Sequence, residues 1–128
     1  MAYDEFLMTV TELGGYSERE DAARVTEAVI STLGDRLPPE IAEHVADQLP
    51  APVDELIEGA NSTPQNWGVQ EFVHRVAEIT GDHEEQAEEH SRAVLTAVAA
   101  QVTGGELNKL ISDLPTGYAA LFGHPELS

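Results

Sequence analysis

One stretch of this chain is written twice, and that constrains its fold more than any other feature. Residues Asp21 to Pro50, DAARVTEAVISTLGDRLPPEIAEHVADQLP, return as Gln86 to Pro115, QAEEHSRAVLTAVAAQVTGGELNKLISDLP. The register holds residue by residue: Ala22 falls on Ala87, Ala28 and Val29 on Ala93 and Val94, Ile30 on Leu95, Leu37 on Val102, Val45 on Leu110, and Leu49-Pro50 on Leu114-Pro115. Upstream the echo continues with a slip of one residue, pairing Glu5-Phe6, Val10, Glu12-Leu13 and Gly15 with Glu71-Phe72, Val76, Glu78-Ile79 and Gly81. Downstream Val53, Leu56 and Ile57 match Tyr118, Leu121 and Phe122. The slip belongs in the glycine-bearing turn. A unit of nearly half the chain therefore has to fold in two copies.

The periodicity inside the unit is helical. Tyr3, Phe6, Leu7, Val10 and Leu13 recur at three and four residues and predict a first helix over about Tyr3 to Leu13 with one apolar stripe. Gly14-Gly15 ends it, because glycine readily takes the left-handed conformation that follows a helix. Ser17 with Glu20 reads as a capping box for helix two, which continues to about Arg36 and buries Ala22, Val25, Val29, Ile30 and Leu33. Pro38-Pro39 stops that helix and starts a third, in which Ile41, Val45 and Leu49 face inward and Pro50 terminates. A short fourth helix is expected near Val53 to Glu58.

The second copy repeats the plan. Val69, Phe72, Val73, Val76 and Ile79 predict helix five, Gly81 caps it, and Asp82 with Glu85 opens helix six. Thr103 with Glu106 opens helix seven, with Leu107, Leu110, Ile111 and Leu114 as its apolar residues. Between the copies GANSTPQNWG breaks the periodicity and reads as a linker, with Trp67 expected to pack where it meets the second copy. Asn61-Ser62-Thr63 spells a glycosylation sequon, read here as loop composition. The expected architecture is all-α: a single helical bundle, 1–128, built from two tandem repeats of three to four helices related by pseudo-twofold symmetry. Repeat one spans about 3–58, the linker about 59–68, and repeat two about 69–123. Neither half could bury its stripes well alone, so the two should pack on each other.

The residues Tyr3-Asp4-Glu5-Phe6, Leu33-Gly34-Asp35-Arg36-Leu37 and Asp47-Gln48-Leu49-Pro50, within a duplicated pattern of this length, resemble the small prokaryotic family catalogued as domain of unknown function 2267. The resemblance spans essentially the whole chain and implies an all-helical duplicated fold, with no activity attached. The copies differ where a site might sit: Arg36 aligns with Gln101, Gln48 with Asp113, and Pro38-Pro39 with Thr103-Gly104. Any role of Arg36 or Gln48 in a site would be single, not twofold.

Charge excludes some partners. With 24 acidic residues against 6 basic ones the formal net charge is -18, a field that repels phosphate backbones and anionic headgroups. Direct nucleic-acid binding is not expected. A solubilising surface ranks first as its explanation, ahead of a decoy for a basic, nucleic-acid-binding partner. Met1 to Tyr3 runs straight into Asp4-Glu5 without the basic and apolar regions of a signal peptide, and the apolar run Ala93 to Ala100 is too short to span a bilayer. A cytoplasmic protein without membrane contact is the expectation. Cysteine is absent, so thiolate ligands and nucleophiles are excluded.

No catalytic motif stands out. Glu71 and His74 have the helical spacing used in di-iron bundles, but the position matching His74 in the first copy is Met8, so a symmetric dinuclear centre is ruled out. His83 and His90, amid Glu84, Glu85, Glu88 and Glu89, form the densest group of ligand types; seven residues is about two helical turns, too far apart to share one ion unaided. These four, His83, His90, Glu71 and His74, are weak metal candidates, and a solvated acidic face ranks above them. His44 and His124 have no identifiable partner. The serines lack a nucleophile-elbow context, and no phosphate-binding glycine loop occurs. Glu20, Glu71 and Glu88 each precede an arginine by four residues, as helical ion pairs do. Arg36 has no such acid; it is expected to cap carbonyls, to bridge to the other unit, or to hold a small anion between the units.

The expected function is that of a non-enzymatic protein-interaction or stress-related accessory factor, without a cofactor. The partner is an unidentified protein, a second copy of the chain among the candidates. The alternative is a small-ligand or metal-binding bundle using a cleft between the repeats. Exposed apolar residues around Trp67, Tyr118 and Phe122 would favour the first.

Overall fold

The computed structural model describes residues 2–58, 67–112, 114–115 and 117–123. Among them are eight helices and no strand: α1 (Ala2–Gly14), α2 (Arg19–Arg36), α3 (Pro39–Ala46), α4 (Val53–Glu58), α5 (Val69–Thr80), α6 (Glu84–Gln101), α7 (Gly104–Ser112) and α8 (Tyr118–Leu121). None is long and apolar enough to cross a membrane. Most of the expected linker, with the Asn61 sequon, lies outside the described residues, as does His124.

The apolar stripes lead where the periodicity says. Phe6, Leu7 and Val10 of α1 and Phe72, Val73 and Val76 of α5 are buried, as are Ala22, Val25, Val29, Ile30 and Leu33 of α2 and Ala87, Val94, Leu95 and Val98 of α6. One apolar cluster draws on all eight helices. It is interleaved: α1 packs on α2 and α6, α5 packs on α6 and α2, and α2 meets α6. The smaller helices cover the ends, α4 on α2 and α3, α8 on α6, and α3 against α7. Each large side chain removed from water here contributes about 1.5 to 3 kcal/mol, and the α1–α6, α2–α5 and α2–α6 contacts join the first four helices to the last four in one core.

Leu13 and Ile79 correct the expected stripes, being 50% and 59% exposed. Each stands seven residues after a fully buried phenylalanine, Phe6 or Phe72. A straight α-helix lags by about 20° per heptad, which carries both to the edge of the buried face in the last turn. Ile41 is only partly buried; Ala42, Val45 and Ala46 form the inward face of α3 instead. That helix ends at Ala46, ahead of Pro50, in a turn that still buries Leu49.

The two glycine turns differ by one residue, 15–18 against 81–83, where the sequence alignment slips. In the first, Gly15 takes φ +69° and the Tyr16 N–H reaches back to the Thr11 carbonyl at 3.1 Å, a Schellman closure. In the second, Gly81 takes φ +79° and its own N–H bonds the Ala77 carbonyl at 2.8 Å, the simpler left-handed cap. The longer turn displaces the start of α2: its N-cap is Glu18, not Ser17, and no side chain caps it. Helix α6 likewise starts from His83, not Asp82, with the His83 N–H donating to Gln86 Oε1 at 3.2 Å.

Candidate functional site

The histidines singled out in the sequence do not converge. His83 is exposed at the start of α6, whereas His90 is partly buried on the same helix. The Nδ1 of His90 lies 2.6 Å from the Tyr16 hydroxyl and its Nε2 lies 2.8 Å from Asp82 Oδ2. Burial pushes the Tyr16 phenol up to about 12, an effect the nearby Arg24 partly offsets. A protonated phenol facing one ring nitrogen and a carboxylate facing the other fit a single arrangement of neutral His90: the phenol donates to Nδ1, and Nε2–H donates to Asp82. The clasp joins the first half of the chain to the second.

Glycine positions this clasp. A Cβ at residue 14 would collide with the Tyr16 ring, which folds back over the end of α1, and Gly15 supplies the left-handed turn that puts it there. Sequence reading treated Gly14-Gly15 only as a helix stop and missed the clasp. The available signal was positional, since Tyr16 and Asp82 each directly follow a turn glycine.

Glu71 and His74 also point to separate partners. Glu71 accepts from Arg75 Nε at 3.0 Å, while His74 has Glu84 2.8 Å from Nδ1 and Glu78 3.4 Å from Nε2. The hydrogen bond that His74 donates to Glu84, reinforced by the charge of Glu78, raises the His74 pKa above its ordinary 6.5. Among the described residues no three His, Cys, Asp or Glu are gathered as a metal site.

Arg36, only 6% exposed, donates through Nε to the Trp67 carbonyl at 2.8 Å. Its guanidinium lies 5.7 Å from the Tyr118 ring centre, and the Tyr118 hydroxyl faces the carbonyls of Trp67 at 3.1 Å and Gly68 at 3.3 Å. Burial pushes the Tyr118 phenol up to about 12 against the opposing influence of Arg36. Arg36 thus bridges to the second half through a backbone carbonyl, and the ring beside it belongs to a buried tyrosine. Trp67 stacks with Arg75, 4.7 Å from its ring centre, at the start of α5.

Of the three expected helical ion pairs, Glu71–Arg75 and Glu88–Arg92 form, at 3.0 and 3.2 Å. Glu20–Arg24 does not; at this end of α2 it is Arg19 that pairs, with Asp4 of α1. His44 has a partner after all, Glu106 of α7 at 3.8 Å. Beside it the expected Thr103 cap forms in one direction only: Thr103 Oγ1 accepts from the Glu106 N–H at 3.3 Å, while the Thr103 N–H donates to Gln48 Oε1 at 2.8 Å. Glu106 is turned toward His44, so the other half of the chain completes the cap.

The exposed apolar residues are not those expected. Tyr118 and Phe122 are fully buried, and the large apolar residues left in water among the described residues are Met8, Leu13 and Ile79. Met8 is 62% exposed and borders an open groove of about 690 Å³ along α1, lined by Asp4, Leu7, Met8, Thr11, Glu12 and Arg19. A second groove of about 760 Å³ runs along α5 and the start of α6, where Gln70, Val73, His74 and Glu84 take the places of Asp4, Leu7, Met8 and Arg19 in the alignment. Val69, Glu71, Glu85 and Glu88 complete its wall. The first groove has an apolar floor with acidic edges; the second is a carboxylate-rich face with one histidine already held.

No curated protein matches the sequence. The family model described as an uncharacterized conserved protein, DUF2267, matches residues 3–121, nearly the whole chain. The chain therefore belongs to the DUF2267 family.

Proposed function

We propose that this is a non-enzymatic interaction protein: one helical domain whose two related halves form a rigid frame and whose surface does the work. The observation that carries the reading is Met8, held 62% exposed above buried Leu7 on a chain of net charge -18. A flexible, polarisable thioether in water, bordering an open groove, gains by being covered. The polar groups with catalytic potential are engaged elsewhere: both ring nitrogens of His90 and of His74 face partners, and Arg36 donates to a backbone carbonyl.

The helix pairing supports a pseudo-twofold relation between the halves. Exchanging α1 with α5, α2 with α6, α3 with α7 and α4 with α8 converts the α1–α2 contact into α5–α6, α1–α6 into α2–α5, and α2–α4 into α6–α8. The α2–α6 and α3–α7 contacts map onto themselves, and α3–α4 alone lacks a counterpart of similar extent among the described residues. Buried positions follow the same exchange, down to Thr26 and Ser91, two fully buried hydroxyls without a hydrogen-bond partner among the described residues. On this reading the core is held fixed while the surface is free to diverge.

Affinity capture from the host's own lysate, washed at low and high salt, tests the role. A reproducible stoichiometric protein partner that survives high salt is expected. Recovery of nothing above background would overturn the interaction role.

A further inference from the structure

We infer that the groove along α1 docks a basic amphipathic segment of a partner protein, an apolar side chain seated against Met8 and its Lys or Arg side chains facing Asp4 and Glu12. This rests on the interaction reading and adds the surface and the chemistry of what covers it. The groove spans Asp4 to Glu12, about 12 Å along the helix at 1.5 Å per residue, which matches about two turns of a docked helix. Such a helix presents anchors at three- and four-residue spacing.

Charge selects the occupant. Asp4 and Glu12 line the groove, Glu18 and Glu20 flank Arg19 and are exposed, and the whole chain carries -18. A cationic segment is drawn toward this field, and an acidic one is repelled. Arg19 is not an obstacle: its pair with Asp4 is solvent-exposed on both sides, and exposed pairs of this kind exchange partners at little cost. A second copy of the chain is disfavoured, because a twofold contact across α1 would set Asp4 and Glu12 of each molecule against those of the other in an already repulsive field. The groove along α5 is a control within the same molecule. It carries more carboxylates but offers His74, bonded to Glu84, where the first groove offers Met8. If field alone governed binding, the second groove would win; if an apolar anchor is required, the first does.

The probe is a synthetic helical peptide with leucines at helical spacing and lysines on the opposite face, titrated by fluorescence anisotropy against the intact protein at about 0.1 and about 0.5 M salt, roughly two thirds of and three times physiological strength. A sequence-scrambled peptide of the same charge is the comparison. The amphipathic peptide is expected to bind more tightly than the scrambled one at both salts. Met8→Asp should weaken it tenfold or more, Glu12→Lys should flatten its salt dependence, and His74→Asp should leave it unchanged. Met8 is exposed, so Met8→Asp is expected to keep the parent's melting temperature; His74→Asp sets a carboxylate beside Glu78 and Glu84 and is expected to lower it slightly while the protein stays folded. Equal binding of the two peptides, or binding indifferent to Met8→Asp, overturns the assignment. So does a dimer of the protein alone that Met8→Asp dissociates, since the occupant would then be a second copy. If lysate capture still yields a partner while these titrations fail, the groove assignment falls and the interaction role stands.

Discussion

The grooves along α1 and α5 are lined from aligned stretches of the sequence, yet one exposes Met8 above Leu7 while the other presents His74 tied to Glu84 and Glu78. A few residues inward the halves agree: Phe6 and Phe72, Val10 and Val76, Ala22 and Ala87 are all fully buried. The frame tolerates little change because a substitution on one side must still pack against both halves. The surface carries no such constraint, and it is there that the aligned positions Met8 and His74 differ in chemistry.

The largest expected effect tests the shared frame. Phe6→Ala and Phe72→Ala should each cost about 3 to 5 kcal/mol, within a single cooperative unfolding transition, because both rings enter one interleaved cluster. Denaturant unfolding followed by circular dichroism checks this. Two separated transitions, or a loss confined to the mutated half, would break the equivalence of the halves.

A smaller effect separates the two glycine turns. Gly14 aligns with Thr80, so the second half accepts a Cβ where the first cannot, the difference being the Tyr16 ring lying over Gly14. Gly14→Ala should destabilise the protein by about 1 to 3 kcal/mol through this overlap. In a Tyr16→Ser background the same change should be neutral or stabilising, since alanine exceeds glycine in helix propensity by about 1 kcal/mol. A double-mutant cycle measures the coupling, and simple additivity would contradict the clasp.

Next come the paired hydroxyls. Thr26→Val replaces a fully buried, unpartnered hydroxyl with a methyl of similar shape and should raise stability by about 1 kcal/mol. Ser91→Ala should change stability in the same direction. Opposite signs at the two sites would show that they are not in equivalent surroundings.

The smallest effect is the pH response of His74. Its folded pKa is raised by Glu84 and Glu78, so its stabilising contribution is complete below its ordinary 6.5 and fades as pH rises through the higher folded value. His74→Gln should therefore remove a slight acid-side gain in melting temperature, while Met8→Gln leaves the pH profile alone. A proton-detected titration of the His74 ring checks the direction.

How much of this was legible follows from what sequence periodicity encodes. A stripe at three- and four-residue spacing reports which face of a helix is apolar, so the spans of α1, α2, α5 and α6 and nearly all of the core could be read in advance. The same spacing does not report where the covering helix stops, hence Leu13 and Ile79. Nor does it report contacts between residues far apart in the chain. His44 meets Glu106, Gln48 completes the cap at Thr103, and Tyr16 reaches His90 across 74 residues. Tyr118 and Phe122 are residues whose exposure would favour a partner surface, but α8 packs on α6 and both are buried. The α1 groove was invisible for the same reason: Met8 reads as an ordinary member of an amphipathic helix until its neighbours are placed.

The most direct measurement is an amide NMR titration of the nitrogen-15-labelled protein with the basic amphipathic peptide. The account predicts saturable shifts along Asp4 to Glu12 and at Arg19, with Gln70 to Glu78 and Glu84 unmoved. Shifts centred on the α5 groove, or spread over the acidic surface without saturation, would contradict it.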